Sequence, residues 1–164
     1  MAACGSNSLW APHIRLLLCA ILAGACSGDQ PGTVVEPELP EGTYFLLGMH
    51  GDTLGVEDFV AVTDDTAVTA TVVEQLELAP DLRWLHIHGK LGSTNGGFNL
   101  DWDWHFIPSA WKLVEMSIEV CDGRPSGLRN LASLLAGDSL FCPWSSYVKK
   151  ELSLEEVRRL VEGS

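Results

Sequence analysis

Basic residues are scarce in this chain: ten Lys and Arg stand against 22 Asp and Glu. A phosphate backbone needs a positive surface, so nucleic acid is excluded as a partner and acidic lipid headgroups are disfavoured. Long apolar runs are also missing. The longest uncharged stretch near the N-terminus is Leu16 to Ala25, about half of the roughly 20 residues that a spanning helix needs. No Gly-x-Ser-x-Gly, P-loop or Cys-x-x-Cys occurs, so the common hydrolase, nucleotide and redox signatures are absent. No cofactor is expected. Apolar residues are plentiful at 46%, with six Trp and five Phe, which argues for a packed core and against disorder.

The short uncharged run fits another role. It follows His13 and Arg15 and closes on Ala23-Gly24-Ala25, the form of a removable export signal over residues 1–25. Cys26-Ser27-Gly28 comes next, so the stretch also reads as a bacterial lipobox in which Cys26 carries lipid. Ala23 stands where Leu is usual, and ordinary secretion by cleavage after Ala25 is the alternative. Residues 26–42 hold Pro31, Pro37 and Pro40 among Gly and Glu and read as a flexible tether. Membrane contact is then expected only through the lipid, and the mature chain carries a net charge of −13 once Arg15 is removed. Cys121 and Cys142 remain as an even pair in an oxidising compartment, either bridged or as two buried thiols.

Residues 43–164 read as a single α+β domain: a small antiparallel sheet, two or three packed helices and one disulfide. Thr43 to Met49 and Phe59 to Val62 are predicted strands. Thr63-Asp64-Asp65 caps a helix to about Leu78. Arg83 to Leu91 is predicted as a strand with Trp84, His86 and His88 on one face, and Trp102 to Ile107 as an extended segment ending at Pro108. Lys112 to Asp122 shows the cleanest period of two, which places Val114, Met116, Ile118 and Val120 on the core face and Glu115 and Glu119 opposite. A helix is predicted from Ser126 to Leu135, a last strand over Tyr147 to Leu152, and a C-terminal helix behind the capping box Ser153-Leu154-Glu155-Glu156.

Three blocks carry a resemblance. They are Trp104-His105-Phe106-x-Pro108, then Glu115-x-x-x-Glu119-Val120-Cys121-Asp122-Gly123-x-Pro125-Ser126, then Cys142-Pro143-Trp144-Ser145. In that order and spacing they resemble the N-terminal domain of the slime-mould 74-kDa calmodulin-binding protein and its bacterial relatives, over about residues 43–152. The resemblance implies a compact mixed domain with a Cys121–Cys142 contact and assigns no activity. Calmodulin itself is not an expected partner, because it grips basic amphipathic helices and Leu154 to Val161 offers Arg158 and Arg159 against Glu155, Glu156 and nearby Glu162.

Candidate binding residues are His86, Trp102, Trp104, His105, Glu115 and Glu119. His86 and His105 with Glu119 form the set a small metal-dependent hydrolase would need; as structural residues they would instead hydrogen-bond strands together, and the metal assignment is none. Trp102 and Trp104 would form a stacking platform for a sugar or peptide, or else lie in the core. The reading that follows is a non-enzymatic binding domain of the cell envelope, anchored through Cys26, for a protein, peptide or glycan ligand. The alternatives are the hydrolase and an inhibitor of an exported protease that inserts the loop from Gly92 to Asn99.

Overall fold

The computed structural model describes residues 38–99, 101–128 and 139–163, and of Glu119 the backbone alone. Cys26, the export signal and most of the tether lie outside the described residues, as does most of the helix predicted from Ser126. What is described of that helix, Pro125–Leu128, is a 3-10 turn.

Among the described residues, six strands form two antiparallel sheets where one was expected. β1 (Thr43–Met49) lies between β2 (Phe59–Thr63) and β6 (Ser146–Leu152); β3 (His86–Gly92) lies between β4 (His105–Val114) and β5 (Leu140–Phe141). The two sheets share one core. Phe45, Leu47 and Phe59 from the first meet Ile87, Leu91, Phe106 and Trp111 from the second. Polar groups stitch the same seam: Trp111 Nε1 donates to Val62 O at 2.7 Å and the Ile87 amide donates to Ser146 Oγ at 3.1 Å. Side chains on two facing sheets bury their apolar surface against each other, which stabilises a fold that neither sheet could sustain alone.

Helix α1 (Thr66–Leu76) starts where its cap was predicted, with Asp65 Oδ1 accepting from the amides of Ala67 and Val68. Its β-branched residues are accommodated by back-bonding: Thr69 and Thr71 hydroxyls donate to carbonyls one turn earlier. Helix α2 (Leu154–Glu162) opens on the reciprocal Ser153–Glu156 capping box and buries Val157.

One strand falls elsewhere. β4 ends at Val114, whereas the alternation predicted a core strand to Asp122. Met116, Ile118 and Val120 are exposed, and Glu119–Cys121 is a 3-10 turn. The partner strand explains this. β3 begins at His86, which pairs with Val114, so the ladder has no β3 residue to offer beyond that point. The chain then turns toward Cys142, bonded to Cys121 with Cα atoms 5.1 Å apart. Upstream, β4 runs through Pro108 instead of stopping there. The register shift between Gly89 and Leu91 takes this stretch out of regular pairing, which a residue without an N–H requires.

Candidate functional site

At the start of β3, two imidazoles share one hydroxyl. Ser117 Oγ lies 2.8 Å from His86 Nε2 and 2.8 Å from His88 Nδ1. Residues two apart on a strand point the same way, and the segment after β4 folds back to place Ser117 over both. A hydroxyl has one proton to donate, so it donates to one ring nitrogen and accepts from the N–H of the other. His86 is buried, and its pKa is lowered from 6.5, chiefly by desolvation and then by His88, with Asp122 opposing.

This arrangement fixes a pH dependence. The folded state favours neutral His86, so below about pH 6.5 the unfolded chain takes up a proton that the folded chain resists. Stability is therefore fully present above that value and falls as pH drops beneath it. Urea midpoints measured between about pH 7.5 and pH 5 are expected to decline less in His86→Gln than in the wild type; equal slopes would show that His86 is not the responsible group.

Around this pair the molecule presents apolar surface. Trp84, Met116, Ile118, Val120 and Trp144 are 70%, 86%, 60%, 89% and 41% exposed. They come from three segments that meet here. Trp84 precedes β3. The 115–121 segment is held by Ser117 to the His pair and by the disulfide to Cys142. Trp144 lies 6.4 Å from the His86 ring, measured between centroids. Trp84 is also supported from below: His50 lies 5.9 Å from it and stacks on Tyr147 at 4.3 Å, while His50 Nε2 contacts Arg83 O at 3.1 Å. Beside Trp84 is a cavity of about 370 Å³ lined by Gln75, Leu82, Leu85 and Glu115.

The remaining candidates are dispersed. His105 pairs with Gly92, at the opposite end of β3 from His86, and six strand positions correspond to about 20 Å. Its Nδ1 contacts Thr94 O and its ring packs edge-on against Phe98. His86 and His105 therefore cannot share one metal ion, which removes the geometry of the hydrolase reading. Glu115 is exposed; the side chain of Glu119 lies outside the described residues. Trp102 and Trp104 are buried in the core with their rings 5.6 Å apart, so neither offers an open face to a ligand. The most exposed indole is instead that of Trp84, and exposure is not readable from a strand pattern. The loop from Gly92 to Asn99 is anchored at its end, with Phe98 and Asn99 buried and Asn99 bonding Val60 N and Trp104 O.

A second and larger concavity, about 620 Å³, lies between α2 and the first sheet. Leu46, Phe98 and Leu152 line it together with Asp58, Lys150 and Arg159. Its charges are largely paired within the chain: Lys149 with Asp58 at 2.6 Å and Lys150 with Glu156 at 2.7 Å. The bonds from Lys150 and Ser153 hold the Glu156 carboxyl down to about 2. No local pattern in the chain announces this cleft, because its wall residues come from distant segments.

Together these features define a small disulfide-stapled α+β domain with an exposed apolar rim around a histidine pair, and no helix among the described residues is long and apolar enough to cross a membrane. The family model of the N-terminal domain of the 74-kDa calmodulin-binding protein matches residues 42–155. The chain belongs to that family. No curated protein and no solved structure matches it.

Proposed function

We propose that this chain is a non-enzymatic interaction domain of the cell envelope, held there by lipid on Cys26, and that it docks a polypeptide partner on the rim formed by Trp84, Met116, Ile118, Val120 and Trp144. The observation that carries the reading is the exposure of these five large apolar side chains on segments that the disulfide and Ser117 hold in place. Exposed apolar surface of this kind marks interaction sites, and a pre-ordered surface loses little entropy on binding. The partner's chemistry follows from charge. With 22 acidic against ten basic residues in the chain, and Glu115 lining the Trp84 cavity, a polypeptide that mixes apolar and basic side chains is favoured, its cations meeting an indole face beside a carboxylate.

A lysine–leucine peptide and its glutamate–leucine counterpart test this in solution. The basic peptide is expected to bind and the acidic one not to. Trp84→Ala is expected to weaken binding about tenfold or more, as truncation of a central aromatic anchor does. Leu54→Ala, at an exposed position on another loop, is expected to leave it unchanged. Equal binding of both peptides, or equal loss in both variants, contradicts the reading. The anchor is tested separately: Cys26→Ser is expected to move the protein from the membrane to the soluble fraction, and a wild type already soluble with unmodified Cys26 contradicts it.

A further inference from the structure

The disulfide has a third neighbour. A ring nitrogen of His88 and the sulfurs of Cys121 and Cys142 all lie within 4.8 Å of one another. We propose that these three groups form a zinc site when the disulfide is reduced, so that one loop is held by either of two interchangeable staples. Zinc takes thiolate and imidazole ligands at about 2.3 and 2.0 Å, which puts tetrahedral donors about 3.3–3.8 Å apart. His88 therefore has to approach by about 1 Å, and the sulfurs have to part by somewhat less than about 2 Å.

Three observations favour the site. Both cysteines are buried, so a pair of thiolates there would be costly without a cation to neutralise it. Ile118 O lies 3.1 Å from Cys121 Sγ and 3.6 Å from Cys142 Sγ, which gives newly formed thiols an acceptor without rearrangement. Ser117 Oγ holds the His88 ring from Nδ1, the kind of outer contact that orients a metal-bound imidazole.

The chemistry balances with a dithiol reductant. It delivers two electrons and two protons, becomes a disulfide itself, and leaves Cys121 and Cys142 as thiols. Zinc then binds both sulfurs and displaces their two protons. The proposal is independent of the docking surface, since metal is measured without a partner.

The test uses the full chain with Cys4, Cys19 and Cys26 replaced by serine, so that Cys121 and Cys142 are the only cysteines. After reduction with a thiol-free phosphine it is titrated with Zn²⁺ against a chromophoric chelator. One ion per chain is expected in the reduced form, and none in the oxidised form. His88→Gln is expected to weaken binding at least about tenfold, and His86→Gln, beside the site but outside it, by less than about threefold. The oxidised forms of both variants report whether each still folds. No binding by the reduced protein, equal binding by the oxidised protein, or equal effects of the two histidine substitutions would overturn the proposal.

Discussion

Arg83→Met is expected to cost about 3–5 kcal/mol of folding stability, the largest loss of any polar substitution in the domain. The guanidinium is buried and serves four carbonyls. Nε donates to Leu78 O at 2.9 Å, Nη2 to Leu76 O at 3.1 Å, and Nη1 to Val148 O at 2.8 Å and Lys149 O at 3.0 Å. The first two carbonyls belong to the end of α1 and the turn after it, where helix carbonyls have no partner of their own. The other two belong to β6. One side chain therefore clamps the helix to the sheet. Met keeps most of the apolar stem, so the loss measures the hydrogen bonds more than the packing. Arg83→Lys is expected to recover less than half, because an ammonium is a single point that cannot span two elements as the planar fork does. Urea unfolding checks both; a loss below about 1 kcal/mol for Met would show that water can replace the clamp.

Replacing Cys121 and Cys142 together by serine is expected to cost about 3 kcal/mol, the value for freeing a loop of about 20 residues in the unfolded chain. The cysteines are 21 positions apart. The consequence reaches the surface. The 115–121 segment would keep Ser117 on the histidines but lose its covalent end, so proteolysis is expected to begin there, near the exposed Met116 and Val120, before the core opens. Thermal unfolding with mass spectrometry of the first cleavage products checks this. Unchanged stability together with first cuts elsewhere would mean that the loop is held by its packing.

Much of the fold is legible in the chain because its signals are local. Asp65 and Ser153–Glu156 announce helix starts through side chains that bond their own backbone. Tyr44 to Met49 and Phe59 to Val62 are apolar runs too dense for a surface. The residues from Lys112 to Asp122 mislead for a physical reason: period two reports which side chains share a face, not whether another strand lies alongside. The first part of that run pairs with β3, and the remainder has no such partner and turns outward. His86 and His88 are readable as neighbours, since two positions on one strand fix a shared face. The distance from His86 to His105 is not readable, because it is set by strand register, and that depends on the irregularity between Gly89 and Leu91. Arg83, His50 and Ser117 carry no local mark; their partners include residues 29 to 66 positions away in the chain, and only the folded arrangement gives them a role.

The claim that the rim around the histidine pair is a docking surface is tested most directly by covalent capture in the living cell. A photoreactive phenylalanine analogue replaces Ile118 in one variant and Leu54 in another, both exposed positions in the free domain. Irradiation is expected to give a discrete polypeptide adduct from position 118 and none from position 54. The crosslinked peptide is expected to be rich in Lys or Arg, and Trp84→Ala is expected to abolish the adduct. Adducts from both positions alike, from position 54 alone, or from neither would contradict a docking surface at this end of the domain.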